Sequence, residues 1–323
     1  MKVADMHCDT ISELFYRKTE GKDYSILKND CHIDLERMKA GDYCIQNFAL
    51  FTEMTGHERP FEYCMRLADL FYTEFEKYKD RIGIVTSYKD IEKNRQAGKM
   101  SAMLTIEEGG VCQGELAFLR DFYRIGVRMM TITWNHENEL GHPNKNALEP
   151  ETELGLTERG IEFVREMEEI GMIIDVSHLS DAGISDVFRH TKRPFVASHS
   201  NARAVARNPR NLTDEMIKRL SERGGVAGIN YYCEFLRDWK EGELKSSRIQ
   251  DMISHMKHMK QVGGIQCIGL GSDFDGIEGE LEIKSPADMP ALESAMGKAG
   301  FTDSEIEAVF SGNVLRVYKE ILR

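Results

Sequence analysis

The chain has 323 residues, of which 41% are apolar and 30% charged, enough for a large core under a solvated surface and incompatible with a disordered chain. Its 54 acidic residues outnumber 42 basic ones, for a formal charge of −12. With no basic cluster to compensate, that balance excludes a nucleic-acid or anionic-membrane surface, and no apolar run approaches the ~20 residues of a membrane span.

From the first residues onward, short β-rich runs alternate with amphipathic stretches. Met1-Lys2 leads straight into an apolar run with no signal-peptide pattern, and the seven cysteines, odd in number and without a CxxC pair, read as reduced thiols in a cytoplasm. Eight strands are predicted in chain order: Val3–Cys8, Ile45–Phe51, Met100–Ile106, Val127–Thr133, Met172–Val176, Pro194–Ser198, Val226–Asn230 and Cys267–Ser272. Helices are predicted over Arg159–Ile170, Asp181–Arg189, Asp214–Arg223 and Ile249–Val262, with start signals at Thr157 and Thr213. Glycines at 126, 171, 224–225 and 263–264 suit helix ends. Eightfold strand–helix alternation without a linker predicts one α/β domain over residues 1–323, a (β/α)₈ TIM-type barrel with loop insertions at its C-terminal mouth. The larger insertions are Asn135–Pro150 and Tyr231–Ser247.

In such a barrel the reacting groups stand at the C-terminal ends of the strands. The first predicted strand ends in His7-Cys8-Asp9, whose period of two places imidazole and carboxylate on one face, able to reach one cation. The third ends Glu107-Glu108-Gly109-Gly110. Adjacent carboxylates point to opposite faces, so one enters the barrel; Glu108 is preferred and Glu107 is the alternative. The fifth ends Asp175-Val176-Ser177-His178, the sixth Ser198-His199-Ser200, and the eighth Ser272-Asp273-Phe274-Asp275-Gly276. A bridging carboxylate among these would complete a two-metal hydrolase site, and nitrogen and oxygen donors suit zinc, with manganese or cobalt as alternatives.

As a set, His7-x-Asp9, Glu108-Gly109-Gly110, Asp175-x-x-His178, Ser198-His199-Ser200 and Gly271-Ser272-Asp273-Phe274-Asp275-Gly276 resemble the renal (membrane) dipeptidase family of metal-dependent, amidohydrolase-like barrels. Residues Gly312–Val317 resemble its closing helix. The resemblance spans nearly the whole chain. It implies two divalent ions, zinc in first place, with His7, Asp9 and Asp273 on one, His178 and His199 on the other, and Glu108 between them. It further implies a metal-bridging hydroxide as nucleophile and Asp273 as proton shuttle in the hydrolysis of free dipeptides, L,D-dipeptides included. Arg210 would clamp the substrate carboxylate, with Arg203 and Arg207 as alternatives, and Tyr232 would assist. A homodimer is also implied.

One position departs from the family pattern. Where members carry a histidine that binds the developing oxyanion, this chain reads Thr133-Trp134-Asn135-His136, leaving His136 or Asn135 to take that role. His142 reads as a lid residue. His255 and His258 share a helix face outside the barrel mouth and read as structural or solvated, and Met252, Met256 and Met259 as core. The alternatives to a dipeptidase are another amidohydrolase, such as an N-acyl amino acid deacylase, and a non-catalytic metal-binding barrel. His7-x-Asp9 in place of His-x-His, and no lysine ending the fourth strand, speak against deaminase and carboxylated-lysine sites.

Overall fold

The computed structural model describes residues 1–322 apart from 23, 145–152 and 241, so the end of the Asn135–Pro150 insertion lies outside the described residues. The strands are β1 (Val3–Asp5), β2 (Tyr43–Phe51), β3 (Ile82–Val85), β4 (Met100–Glu107), β5 (Met129–Thr131), β6 (Ile173–Asp175), β7 (Val196–Ala197), β8 (Val226–Ile229), β9 (Ser246–Ser247), β10 (Ile268–Leu270) and β11 (Glu280–Leu281). Eight of them, in the order β2-β1-β10-β8-β7-β6-β5-β4, pair in parallel, and β2 pairs with β4 to close the ring. The fold is a (β/α)₈ TIM barrel.

β4 is shared by three neighbours. One edge pairs with β2 from Ser101 to Glu107; the other pairs with β3 over Met100–Met103 and then with β5 over Thr105–Glu107. β3 therefore lies outside the ring, a ninth strand that the sequence reading did not include. The short β9 and β11 pair separately.

Between strands run helices whose caps explain their limits. Thr157 accepts the Gly160 N–H to open Glu158–Ile170, which closes on Gly171 at φ +83°, and Thr213 does the same for Asp214–Glu222 through Met216. Helices Asp181–His190 and Ile249–Gly263 match the predicted segments to within a residue or so.

Two apolar clusters divide the interior. The larger lies between strands and helices. The smaller fills the barrel, where Ala4, Ile45, Met103, Met129, Ile173, Val196 and Val226, from the early parts of seven ring strands, meet Val314, Val317, Tyr318 and Ile321 of the helix Asn313–Ile321. Asn47 Nδ2 donates to Tyr318 Oη at 2.7 Å inside this plug. The N-terminal end of the barrel is thereby filled by side chains, and polar chemistry is confined to the other end.

Candidate metal centre and substrate pocket

The strand ends are bent by their own carboxylates. Asp5 Oδ1 accepts N–H bonds from His7 (3.1 Å) and Ser272 (3.0 Å), and Asp175 Oδ1 does the same for Ser177 (3.0 Å) and Ser198 (2.8 Å). In each case one oxygen takes a turn N–H two residues on and an N–H from the neighbouring strand, so the chain leaves the sheet without orphaning donors. Beyond these bends Glu108, His178 and Asp273 have φ of +89°, +70° and +63°. Non-glycine residues in this region carry backbone strain that the surroundings must hold, a habit of functional sites.

The left-handed turn at residue 108 decides between the adjacent glutamates. Glu107 is the last residue of β4 and shares the inward parity of Met103. Glu108 instead turns back: its Oε1 accepts from Gly110 N (2.7 Å) and Asn138 Nδ2, and its Oε2 accepts from Trp134 N (3.0 Å). The preference for Glu108 is therefore corrected. Its carboxylate is consumed in tying β4 to the loop after β5, and Glu107 is the glutamate brought among the histidines.

Glu107 stands between two sets of donors. Its Oε2 lies 3.3 Å from His7 Nε2, which is also 3.5 Å from Asp9 Oδ2 and 3.6 Å from Asp273 Oδ1. Its Oε1 lies 3.0 Å from His178 Nε2 and 3.6 Å from His199 Nε2, and those two nitrogens are 3.0 Å apart. Among the described residues, three overlapping groups have the reach to hold a cation: His7, Asp9 and Glu107; Glu107, His178 and His199; and His7, His199 and Asp273. Among the same residues, His7 Nε2, which faces the three carboxylates, and Asp9 Oδ1 are buried without a well-aligned hydrogen-bond partner, which is costly unless a cation satisfies them. The donor set thus fits divalent metal ions.

Charge crowding in the bare site points the same way. Burial, then Asp9 and Asp273, push the Glu107 carboxyl up; burial and Asp9 push Asp273 up. Burial opposes a charge on His7, yet Glu107 and Asp9 hold its ring well above the usual range, while burial and the cationic Arg210 and His7 push His178 and His199 well below theirs. Metal cations would reverse this balance by favouring every carboxylate in its ionised form.

A second layer fixes the imidazoles. His178 Nδ1 lies 2.9 Å from Asn135 Oδ1, so the ring donates there and turns an unprotonated Nε2 toward Glu107. Ser198 Oγ stands 2.7 Å from His199 Nδ1, and Asn230 Nδ2 donates to Asp273 Oδ2 at 2.9 Å. His7 and His199 stack at 4.0 Å.

Beside this centre opens a cavity of about 520 Å³, whose lining includes Asp9, Glu107, His178, Asp273, Arg210, Tyr232 and Phe235. Arg210 is 3% exposed, its Nε and Nη2 have no hydrogen-bond partner among the described residues, and its guanidinium lies 5.3 Å from the Phe235 ring centre. Burial lowers its pKa to about 10. Arg203 is committed to a two-pronged ion pair with Asp181 and Arg207 is exposed, so of the three candidate arginines only Arg210 lines the cavity. Tyr232 is half-buried, and burial pushes its hydroxyl up to about 12. Phe51, Tyr63, Trp134 and Asn135 also line the cavity. His136 is not among the lining residues: its side chain is 40% exposed and faces Glu53 at 3.9 Å. His142 likewise stays outside, 3.3 Å from Glu137.

The sequence model of the membrane dipeptidases, peptidase family M19, matches residues 1–323. An uncharacterized dipeptidase of Schizosaccharomyces pombe is 31% identical over 302 residues, covering 90% of this chain and 72% of that one. The chain belongs to the M19 membrane dipeptidase family. Among solved structures, a dipeptidase AC described as a metallo peptidase of M19 is 25% identical with a TM-score of 0.91, covering 100% of this chain and 99% of that one. A Rhodobacter sphaeroides metallo peptidase solved with a phosphinate mimic of L-Ala-D-Ala shares the fold at 23% identity and TM-score 0.90, each chain covered to 99%. This M19 protein is accordingly a metallo-dipeptidase, the first of the activities its sequence left open.

No helix among the described residues of the dipeptidase is long and apolar enough to cross a membrane. Its site also uses residues that strand patterning passes over: Asn230 on Asp273, and Ser198 and Thr131 on Asp175. Their one legible sign is polar side chains at the ends of otherwise apolar strands.

Proposed function

We propose that this M19 dipeptidase cleaves free dipeptides at a two-metal centre with zinc as the resident ion, and that it accepts a D-residue at the C-terminal position. The observation that carries the two-metal reading is Glu107, whose two oxygens face two different histidine sets. His7, Asp9 and Asp273 would hold one ion, His178 and His199 the other, with Glu107 common to both. Bound together, the ions supply Lewis acidity and a water acidic enough to act as nucleophile at neutral pH.

The protein's own groups do the rest. The unpartnered fork of Arg210 pairs with the substrate's terminal carboxylate, as guanidinium geometry favours, and Tyr232 flanks it. Asp273, steadied through Oδ2 by Asn230, accepts the proton of the attacking water and passes it to the leaving amine. With Asn135 Oδ1 engaged by His178, the Nδ2 amide of Asn135 is the donor for the carbonyl oxygen as it gains charge.

Ring order supports one direction for the substrate. β2 and β4 stand across the barrel from β7 and β8, whose loops carry Arg210 and Tyr232. Phe51 ends β2, and Trp134 packs on it at 4.9 Å. With the carboxylate at Arg210, the side chain of the N-terminal residue meets this aromatic wall. The L-Ala-D-Ala mimic in the Rhodobacter protein of like fold is the reason to place L,D-dipeptides in the test set.

The test is elemental analysis of the purified protein together with a panel of L,L-, L,D- and D,L-dipeptides and N-acetyl amino acids. Two zinc ions per chain and cleavage of free L,L- and L,D-dipeptides are expected. A fully loaded enzyme that leaves every dipeptide intact, or prefers N-acetyl amino acids, overturns the proposal.

A further inference from the structure

Behind the pocket, outside the barrel, His255 sits in the helix Ile249–Gly263 with no exposed surface. Both ring nitrogens are used. Nδ1 lies 3.1 Å from the backbone N of Ala202, and Nε2 lies 2.9 Å from the carbonyl oxygen of Leu236. A backbone N–H only donates and a carbonyl only accepts, so one form of the ring serves both: Nδ1 bare, Nε2 protonated, charge zero.

The two partners belong to different loops. Ala202 follows His199 on the loop after β7 that leads to Arg210; Leu236 ends the short turn after β8 that begins at Tyr232 and carries Phe235. Asn201 and Asn211 stitch the same loops from the other side, Asn201 Nδ2 to Asn230 O at 2.9 Å and Asn211 Nδ2 to Phe235 O at 2.9 Å. Every residue of this seam is buried, so a lost bond there is not made good by water.

We infer that His255 is a positioning residue for substrate recognition: it holds the β7 and β8 loops in one register and so presets Arg210 against Phe235 and Tyr232. It touches neither substrate nor metal ligands. This rests on the reading of Arg210 as the carboxylate clamp.

The test compares three variants with the wild type in the metal-loaded enzyme. His255→Met removes both bonds, His255→Asn keeps an acceptor near the Nδ1 position, and His255→Gln keeps a donor near the Nε2 position. Metal content, kcat and KM for a free dipeptide, and the ratio of kcat/KM between that dipeptide and its C-terminal amide are measured. His255→Met is expected to raise KM about tenfold, with kcat and metal content within a factor of about three, and to shrink the dipeptide-to-amide ratio by a similar factor. The Asn and Gln variants should fall between it and the wild type. Unchanged KM and ratio in His255→Met, or a fall in kcat and metal content at constant ratio, overturns the inference. If the Met variant does not fold, Asn and Gln variants both within twofold of the wild type in KM and ratio overturn it equally. Arg210→Met is the control. If it leaves KM and the ratio unchanged, the carboxylate reading itself has failed; if it alters both while His255→Met does not, only the role of His255 has.

Discussion

Ser198 and His199, neighbours in sequence, share one proton path: the Ser198 hydroxyl donates to Asp175 Oδ2 at 2.5 Å and therefore accepts from His199 Nδ1 at 2.7 Å. A hydroxyl has a single hydrogen, so its commitment to Asp175 leaves it only an acceptor for the ring. His199 is thus held with Nε2 bare and turned toward Glu107. On the two-metal reading proposed above, removing the hydroxyl in Ser198→Ala is expected to weaken binding of the ion held by His199 by about 10–100-fold and leave the other in place. Competition with a chelating indicator checks this; two unaltered affinities would contradict it.

The paired glutamates give a sharper contrast. Glu107→Gln should abolish loading of at least one ion and bring turnover to the detection limit, as elemental analysis and a dipeptide assay would show. Glu108→Gln should keep full loading while costing about 2 kcal/mol of stability, because a charged acceptor of three hydrogen bonds is replaced by a neutral amide. The reverse pattern would return the metal role to Glu108.

Asn135 has two faces, and Asn135→Asp separates them, keeping an oxygen for His178 while deleting the N–H. Turnover should fall about 10²–10³-fold with metal content retained, the cost of one oxyanion donor. Full activity in this variant would move the role elsewhere, His136→Ala being the next variant to assay.

Trp134→Ala opens the wall across from Arg210. A dipeptide with an N-terminal Phe should lose about tenfold or more in kcat/KM, and one with an N-terminal Gly much less, since only the former buries apolar surface there. Equal losses for the two substrates would place the N-terminal side chain elsewhere.

Burial lowers the His255 pKa to about 4 from an ordinary 6.5. Above 6.5 both folded and unfolded chains carry a neutral ring, and the group adds no pH dependence. As pH falls from 6.5 to 4 the unfolded chain takes up the proton and the folded chain does not, so stability declines by about 3 kcal/mol across that window. His255→Met lacks this decline. Its thermal midpoint, measured at pH 7 and at pH 4.5, should fall less on acidification than that of the wild type; equal falls would show that the ring titrates normally.

The eight predicted strands coincide with the ring because parallel strands buried on both faces leave short, largely apolar runs such as Met100–Ile106. The same continuity hid the inward parity. Met103 and Leu104 are both apolar, so the pattern does not say which neighbour faces the barrel, and sequence alone favours Glu108 where the fold turns Glu107 inward. The left-handed backbone at Glu108 is a tertiary outcome with no residue-type signal, since glutamate does not favour it. Ile82–Val85 gives no strand signal because four residues beside an exposed charged stretch carry too little periodicity. The helix face of His255 marks it as structural or solvated and no further, because its two partners lie 53 and 19 residues away and only the fold joins them.

The helix Asn313–Ile321 reaches the barrel last in chain order, yet its side chains fill the end where the strands begin. Every strand of the ring is made before the residues that stopper it. Until then Ala4, Ile45, Met103 and their neighbours lack the apolar helix face that covers them in the folded chain. A nascent chain halted before residue 313 would expose that surface, making it a client for chaperones and proteases even though every residue of the candidate metal centre had already been translated.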